Sequence, residues 1–519
     1  MCRWQTGAPG LQRHHKIVGR RRLPASEAHT PTAHSTANTI EDTLRLTMNL
    51  SVKESRAAAL VRFARRKHAV IGNGRDKPEK TLAIEHLFSY NNATRWRREA
   101  VRTIMHIDAN SAYLSWTAVD LLEHGYPVDL RTVPSAIAGN PADRRGIILT
   151  KSMPAKRHGI MTGESIRAAL EKCPSLLIFP PNYDLYMASS DAMYGILSRY
   201  SDRIERYSVD ESWLDYTTSA SAMGEAVLTA NEIRERIKKE LGFTVNVGVG
   251  PNKLLAKMAS ELRKPDMVHT LFPDEIPAKL WPLPVSELFY VGRATEKKLR
   301  GIGIHTIGAL ANADPDVIKA VLKPVHGTLV WEYANGIDEA PVESVSVIDQ
   351  KGVGNSTTTP YDVSDPEEAR LFLLALSERV AYRLRKLASY ARIVHISIRR
   401  GDDGLTFAGK QRRLDRYIGT TDEIYGEAVR LLMMLWQGEP LRHFGVHVTE
   451  LVRADLMQTS IFDKGDAGKL ARIDAAVDHI RAAYGDSAIV RGAFIHSGIG
   501  AMQGGVNEGN YLLMGGHSL

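Results

Sequence analysis

Carboxylates inside apolar, strand-like sequence constrain the fold of this chain more than any other feature. Asp108 ends the alternating apolar stretch 103–108, and the adjacent pair Asp210 and Glu211 interrupts a second apolar segment. An ionised carboxylate is costly in apolar surroundings unless a cation or hydrogen bonds neutralise it. Three carboxylates suit two Mg²⁺ ions about 3.5–4 Å apart, an arrangement used for phosphoryl and nucleotidyl transfer. The alternative to a metal site is that Asp108 caps a helix and that Asp210 and Glu211 lie in a solvent-exposed turn.

The sequence around these residues predicts an α+β domain. Residues 103–108 alternate as a central strand, and residues 243–249 alternate as another. Asp210 and Glu211 are neighbours and would face opposite ways on a straight strand, so a tight hairpin is needed to bring both to one site. Two amphipathic helices would cover the sheet, at 184–200 and 225–241.

Composition limits the class of protein. The chain has 519 residues and a formal net charge of +8 at pH 7, which favour several domains and a polyanionic partner. Its cysteines are Cys2 and Cys173 alone, so a disulfide framework and a cysteine zinc site are excluded. No apolar run of the sequence reaches the length of a membrane span. We therefore expect a soluble, cytoplasmic protein with no membrane contact.

Two motifs together resemble a known family. Asp108-Ala-Asn-Ser-Ala-Tyr113 follows the first predicted strand, and Ser208-Val-Asp-Glu-Ser212 comes further along the chain. In this order they closely resemble the Y-family (translesion) DNA polymerases, which include the DNA polymerase IV and UmuC types. The resemblance implies an α+β multidomain fold of the right-hand polymerase type. Its palm would consist of a mixed β-sheet and helices, and its fingers domain would be small. The resemblance further implies a helix-hairpin-helix thumb and a β-α-β-β-α-β little finger.

The resemblance also implies domain limits. They are a palm at 105–275 with fingers inserted at about 126–185, a thumb and linker at 276–342, a little finger at 343–455, and a tail at 456–519. Residues 1–104 precede this region and are rich in basic clusters, and we predict a mostly disordered extension with a helix around 52–67. Family members usually begin near Met105, so an over-extended start is the first interpretation. An organellar transit peptide and a nucleic-acid-binding arm are the alternatives.

The resemblance gives the carboxylates a catalytic role. Asp108, Asp210 and Glu211 would bind two Mg²⁺ ions, with Mn²⁺ as an alternative, and the backbone carbonyl of Ala109 would be a further ligand. Asp108 and Asp210 would bridge both ions, and Glu211 would belong mainly to the catalytic ion. Tyr113 would be a steric gate whose ring excludes a ribose 2′-hydroxyl. From spacing alone, Tyr113 is instead a core tyrosine on the first helix.

Two basic segments are candidates for binding the triphosphate of a dNTP. Lys156 and Arg157 lie near a loop-to-helix start, a suitable setting for phosphate, and they align with the basic pair that the family uses. A charged run is ordinarily a solvated face, and Met153 departs from the pattern where many relatives carry a phosphate-binding tyrosine. Gly248-Val-Gly-Pro-Asn-Lys-Leu-Leu-Ala-Lys257 lacks the ending of a P-loop. The resemblance nevertheless implies that Lys257 contacts the β- and γ-phosphates of the dNTP.

Primer–template DNA would be held by the thumb and the little finger. Gly301-Ile-Gly-Ile304 separates two short predicted helices, and the backbone N–H groups of Gly301 and Gly303 would contact a phosphate without reading bases. Residues 354–359 and a polar strand face that includes Arg399 would make salt-sensitive, sequence-independent contacts with the duplex. The predicted little-finger elements are strand 344–349, helix 366–387, strands 391–400 and 406–413, helix 422–436 and strand 443–451.

A short peptide beyond the little finger suggests a protein partner. Gln458-Thr-Ser-Ile-Phe462 resembles the peptide by which bacterial polymerases hold the sliding clamp, with Gln458, Ile461 and Phe462 as the contact residues. Five-residue motifs arise easily by chance, but the position just after the last predicted strand favours this interpretation. A helix is predicted further on, at 470–484.

These features predict a template-directed DNA polymerase of low fidelity and low processivity that acts in translesion synthesis and DNA repair. It would transfer nucleotides from dNTPs to a primer 3′-hydroxyl and work as a monomer. A palm-type nucleotidyl cyclase shares the two-metal chemistry but would need no helix-hairpin-helix or DNA-gripping module. A non-catalytic DNA- or clamp-binding factor would need no cluster of three carboxylates, because unneutralised acids weaken binding to a polyanion.

Overall fold

Strands and helices alternate through the first part of the chain. The computed structural model describes residues 102–139, 146–219, 223–343, 350–401, 407–456 and 466–502. Up to Thr270 the strands are β1 Ile104–Ala109, β2 Ser135–Ala138, β3 Ile148–Lys151, β4 Leu177–Phe179, β5 Ile204–Arg206, β6 Glu211–Asp215, β7 Val245–Gly250 and β8 Val268–Thr270. The helices of the same region are α1 Ala112–Glu123, α2 Met153–Arg157, α3 Ile166–Lys172, α4 Tyr183–Leu197, α5 Met223–Leu241 and α6 Lys253–Glu261.

A five-stranded sheet with the order β5-β6-β1-β7-β8 contains both acidic segments. The central strand β1 pairs antiparallel with β6 and with β7, so the strands predicted at 103–108 and 243–249 are confirmed. The backbone N–H of Tyr207 donates to the carbonyl of Glu211 at 3.0 Å. This bond closes a tight turn between β5 and β6, as the hairpin argument requires.

Helices cover both faces of this sheet. Met105 and Ile107 of β1 pack in one apolar cluster with α4 and α5, which confirms the two predicted helices at 184–200 and 225–241. Ile104 packs on the opposite side with Ala256 of α6, as the alternation of a strand requires. A Cβ atom on Gly248 would lie 1.9 Å from the carbonyl oxygen of Ala256. The glycines that resembled a phosphate loop therefore allow α6 to lie directly on β7.

A smaller sheet and a helical segment flank the five-stranded sheet. The smaller sheet has the order β3-β2-β4, and α2 and α3 contribute residues to its apolar core. The helical segment consists of α7 Ile276–Lys279, α8 Arg293–Gly301, α9 Ile307–Ala311, α10 Pro315–Leu322 and α11 Pro324–Ala334. Leu254 and Leu255 of α6 belong to its core, so α6 contacts both the sheet and the helical segment.

A second α+β domain follows. Its elements are β9 Gly352–Val363, α12 Pro366–Lys386, β10 Ser389–Arg400, β11 Phe407–Ile418, α13 Thr421–Leu435 and β12 Leu441–Arg453. They have the predicted β-α-β-β-α-β order, although the first strand, β9, was not predicted at these residues, and they form a sheet with the strand order β11-β10-β12-β9. The predicted strand at 344–349 lies outside the described residues. Residues 354–359 lie within β9.

The described residues after β12 include the helix α14 Asp466–Tyr484, which confirms the helix predicted at 470–484. The extension 1–101, with its predicted helix at 52–67, lies outside the described residues. So do the clamp-peptide residues Gln458, Ile461 and Phe462. Among the described helices, none combines the length and the apolar character that crossing a membrane would need.

Candidate active site

The register of the central strands brings two of the predicted carboxylates together. Asp108 on β1 lies opposite Glu211 on β6. Oxygen atoms of Asp108, Glu211 and Glu261 all lie within 4.8 Å of one another. Glu261, the last residue of α6, was not predicted. This group offers hard oxygen ligands of the kind that Mg²⁺ and Mn²⁺ prefer.

Asp210 lies beside this group, with its side chain held by a hydroxyl. Its backbone carbonyl accepts a hydrogen bond from the N–H of Ala109 at 3.0 Å, which fixes the turn against the end of β1. Its Oδ1 accepts a hydrogen bond from Ser208 Oγ at 2.6 Å. The predicted residues Asp108, Ala109, Asp210 and Glu211 are thus neighbours, although the carboxylate of Asp210 is outside the close group of three.

Two lysines neutralise the carboxylates. Lys264 Nζ lies 2.7 Å from Asp108 Oδ2 and 2.8 Å from Glu261 Oε1. Lys257 Nζ lies 2.8 Å from Glu211 Oε1. Lys264 was not predicted, whereas Lys257 was predicted to contact a triphosphate. The spacing of Lys257 and Glu261, one helical turn apart on α6, was a sequence signal that both face the same side.

Burial raises the pKa of Asp108 to about 8, and the nearby charges of Glu211 and Glu261 act in the same direction, against Lys264. Burial alone would also raise the pKa of Glu261, but Lys264 lowers it below its usual value. Several ionised carboxylates this close together repel one another, and bound cations would reduce this repulsion. The three oxygen donors, of which Asp108 is buried, Glu211 half-buried and Glu261 exposed, therefore fit the binding of a divalent metal, whose ligands must be deprotonated.

Tyr113 lies on α1, just after the turn that follows β1. Its ring stacks on Tyr186 of α4, with centroids 4.4 Å apart and planes 4° apart. Burial raises the pKa of Tyr113 to about 12, and the charge of Asp210 contributes to the shift. The structure therefore places this half-buried ring beside the acidic turn, in a fixed orientation.

The remaining predicted contacts lie on other parts of the fold. Lys156 and Arg157 are exposed at the end of α2. Lys151 lies close by, and burial together with the charge of Lys156 lowers its pKa. Gly301 ends α8, and Gly303 follows with a φ of +85°, a left-handed conformation that glycine adopts without strain. This turn leads to α9, so the predicted pair of short helices is present.

Arg399 belongs to the polar face of β10. Its guanidinium lies 5.5 Å from the centre of the Phe407 ring on β11. Side chains on the other face of β10, such as Ile396 and Ile398, are buried in the domain core. The alternation places Arg399 on the face of the sheet opposite to that core.

Comparisons with known proteins agree with this architecture. The model of the impB/mucB/samB family matches residues 107–261, its C-terminal domain matches 350–461, and its helix-hairpin-helix motif matches 273–304. DNA polymerase IV of Clostridium acetobutylicum is 43% identical over 394 residues, covering 76% of this chain and 98% of the relative. DNA polymerase IV 1 of Bacillus subtilis is 37% identical over 394 residues, with 76% and 93% covered.

A solved structure shows the same fold. A chimeric Y-family DNA polymerase superposes with a TM-score of 0.58 and 21% identity, covering 68% of this chain and 99% of that chain. The predicted right-hand fold of palm, fingers, thumb and little finger is thus confirmed. We use these four names for the five-stranded sheet with its helices, the three-stranded sheet, the helical segment and the second α+β domain, respectively. The chain is a member of the impB/mucB/samB family and hence a Y-family, translesion DNA polymerase.

Proposed function

We propose that this polymerase extends a DNA primer with a catalytic site made of Asp108, Asp210, Glu211 and the carbonyl of Ala109. The observation that carries the proposal is the packing of Asp108 and Glu211 at the centre of the palm sheet, where lysines now balance their charge. Divalent cations bound there would lower the pKa of the primer 3′-hydroxyl and stabilise the leaving pyrophosphate. Mg²⁺ suits the oxygen donors, and Mn²⁺ would be an alternative.

The chain's own residues have distinct tasks in this scheme. Asp108 would hold a cation as an ionised carboxylate in place of its contact with Lys264, because metal ligands must be ionised. Asp210 would contribute its carboxylate, which Ser208 orients through its hydrogen bond to Oδ1. Glu211 presents one oxygen to the site while the other accepts the hydrogen bond from Lys257. The strand register keeps Asp108 and Glu211 adjacent throughout.

Cations around the site would bind the triphosphate of the incoming dNTP. Lys264 is about one third exposed, so once Asp108 has other partners its ammonium is available for phosphate. Lys156 and Arg157 are exposed at the end of α2 and would approach from the fingers. Tyr113 would lie against the deoxyribose, where its ring, fixed on Tyr186, would collide with a 2′-hydroxyl.

DNA and the sliding clamp would be bound at surfaces away from the catalytic site. The turn at Gly301 and Gly303 would donate backbone N–H groups to a phosphate. Arg399 would contact the duplex backbone by charge, so its contribution would weaken with salt. The peptide with Gln458, Ile461 and Phe462 would hold a sliding clamp. We further propose a monomer located in the cytoplasm, where the DNA of bacteria such as the matched relatives lies.

Primer extension tests the proposal. Wild type and Asp210→Ala would be compared on a primed template with Mg²⁺ and each dNTP. We expect extension by the wild type alone, with few nucleotides added per binding event and little use of ribonucleotides. If neither protein extends the primer although both shift labelled primer–template in a gel, catalysis is refuted. A DNA- and clamp-binding factor would then describe the chain.

A further inference from the structure

Three histidines lie on the side of the little-finger sheet that faces away from the domain core, which we call its outer face. Ile396 of β10 is buried in that core, so the residues that alternate with it lie on the outer face. One of these, His395, lies opposite His447 of β12. Four residues further along β10, Arg399 lies opposite His443. His447 is exposed and the other two histidines are partly exposed, so a ligand on this face can reach all three.

Glycines beneath two of the imidazoles keep the outer face flat. A Cβ atom on Gly354 of β9 would lie 2.3 Å from Nδ1 of His447, and one on Gly352 would lie 2.7 Å from Nε2 of the same ring. On the opposite edge strand, a Cβ atom on Gly409 of β11 would lie 2.9 Å from Nε2 of His395. The two rings therefore lie against the backbone of the edge strands instead of standing up from the sheet.

A row of small residues crosses the sheet between the histidines. It contains one residue from each strand, namely Gly409, Ser397, Gly445 and Ser356. Arg399 and His443 lie on one side of this row, and His395 and His447 lie on the other. Positions four residues apart along a strand are separated by about 13 Å. Such a broad, shallow surface suits the backbone of a duplex better than a small molecule, which would need a concave pocket.

His443 lies between a cation and an aromatic ring. Arg399 is opposite to it on β10, and its ring centre lies 5.6 Å from that of Phe407 on β11. Its Nδ1 lies 3.1 Å from Thr358 Oγ1 on β9. These neighbours bring no negative charge, so Arg399 would repel a proton on this imidazole until an anion binds.

The pair of His395 and His447 has neighbours without net charge. His395 lies opposite Gln411 of β11, and Arg413 follows on the same face. Arg413 is itself paired with Glu450 of β12 at 2.9 Å. A proton on one imidazole of the pair would therefore be opposed mainly by a proton on the other, and an anion in front of the sheet would favour both.

We propose that His395, His443 and His447 bind the phosphate backbone of duplex DNA as cations, so that DNA binding takes up protons on the outer face. This inference rests on the proposed function, which places the duplex against the face that carries Arg399. It adds three groups whose charge depends on pH to a surface where the arginine is always charged. The affinity for primer–template should therefore fall as the pH rises, as well as with added salt.

The pKa values of the free protein allow this uptake. Partial loss of hydration lowers the pKa of all three imidazoles below the usual 6.5, and Arg399 adds to the shift at His443 and His395 to that at His447. A phosphate close by favours the charged form and raises the pKa again. Between the two values, an imidazole accepts a proton from the solvent as DNA binds. The affinity gained is thus fully present at low pH and is lost as the pH rises through the pKa of the DNA-bound form.

Fluorescence anisotropy of labelled primer–template with the full chain tests the proposal. The wild type should bind about 10-fold more tightly at pH 6 than at pH 8. The triple variant His395→Gln, His443→Gln, His447→Gln should lose most of this difference and bind like the wild type at pH 8, which also shows that it is folded. His479→Gln removes an exposed histidine of α14 and, as the matched control, should keep the full difference. An undiminished pH dependence in the triple variant would overturn the inference.

The salt dependence of binding gives an independent readout. Each cation that neutralises a phosphate steepens the slope of log Kd against log salt by about 0.9. The wild-type slope should be steeper at pH 6 than at pH 8 by this amount for each histidine that gains a proton, and the triple variant should have equal slopes. Asp108, with a pKa of about 8, is present in both proteins and cannot cause a difference between them. Equal slopes at both pH values in the wild type would refute the proposal.

Failure of this inference is distinguishable from failure of the proposed duplex contact. Arg399→Gln should weaken binding at both pH values. Arg412→Gln should not, because Arg412 lies opposite the core residue Val394 and pairs with Glu427 of α13. If Arg399→Gln leaves Kd and the salt slope unchanged, the duplex does not lie on the outer face, and the proposed contact is wrong together with this inference. If Arg399→Gln weakens binding while the triple variant keeps the wild-type pH dependence, only the proton-linked contact is wrong.

Discussion

Asp108 is a buried carboxyl group whose ionisation opposes folding when metal is absent. Burial, with Glu211 and Glu261 close by, raises its pKa from 3.8 to about 8. Between these two values the folded protein binds a proton that the unfolded chain has released. The contribution of this group to the free energy of unfolding is therefore largest below pH 3.8 and falls as the pH rises towards 8.

Asp108→Asn should abolish primer extension and still stabilise the metal-free protein. The amide keeps the shape of the side chain without the charge, so at pH 7.5 we expect a gain of about 1–3 kcal/mol in the free energy of unfolding. The gain should vanish near pH 4. Urea unfolding in EDTA at the two pH values measures this difference. The control is Asp316→Asn, which changes an 85% exposed carboxylate, and a loss of stability in Asp108→Asn at pH 7.5 would contradict the argument.

Tyr113 offers a second prediction about a single side chain. Its ring is fixed by stacking on Tyr186, so it cannot turn aside for a 2′-hydroxyl without losing this contact. Tyr113→Ala should lower the preference for dNTP over rNTP, measured as the ratio of kcat/KM values, about 10- to 200-fold. Tyr113→Phe keeps the ring and should keep the preference. If Tyr113→Phe lost it as well, the hydroxyl and not the ring would be the selective group.

Helix α6 is the element that assembles the site, and Gly248 sets how closely it packs. A Cβ atom at this position would lie 1.9 Å from Ala256 O and 2.4 Å from Ser260 N, which are backbone atoms that cannot turn aside. Gly248→Ala should therefore displace α6 and cost about 1–3 kcal/mol or more in the free energy of unfolding. Gly195→Ala on α4 meets open space and should instead stabilise by about 0.5–1 kcal/mol. Urea midpoints of the two variants should move in opposite directions.

Local periodicity predicted the strands and helices well, but it did not predict every contact between side chains on different elements. The alternation of residues 103–108 and the apolar face of α5 report burial directly, so this strand and this helix could be predicted from the sequence. Lys264 reaches Asp108 across 156 positions of sequence, and only the packing of α6 brings the two together. The resemblance implies a phosphate contact for Lys257, whereas its contact with Glu211 at 2.8 Å depends on packing that no motif spacing reports.

The cap of α12 is a local feature that the sequence placed one residue too early. The sequence Ser364-Asp-Pro-Glu367 is typical of a capping box and predicts Ser364 as the N-cap. The N-cap is Asp365, whose side chain accepts a hydrogen bond from the N–H of Glu368. Pro366 occupies the first helical position, where its missing N–H costs no hydrogen bond. The position of proline, and not the serine motif, decided where the helix begins.

At the scale of the whole molecule, residues 466–502 are attached to the little finger by ion pairs, one of which is fully buried. Glu378 of α12 pairs with Arg481 of α14, and both side chains are 4% exposed. Arg491 reaches the same carboxylate at 2.9 Å. Arg385 bonds to Asp474 and Asp478 at 2.9 and 2.7 Å. The residues after β12 that the structure describes therefore form part of the little finger.

Removing Glu378 should loosen the C-terminal helix without unfolding the palm. Glu378→Ala leaves Arg481 buried and without its carboxylate, a change that typically costs 3–5 kcal/mol. Hydrogen exchange should therefore accelerate across α14, while β1 and β7 of the palm exchange as in the wild type. Asp316→Ala, which removes an exposed pair with Lys319, should leave exchange in α14 unchanged. Unaltered protection of α14 in Glu378→Ala would mean that apolar contacts alone hold this helix, and that its buried ion pairs add nothing to its attachment.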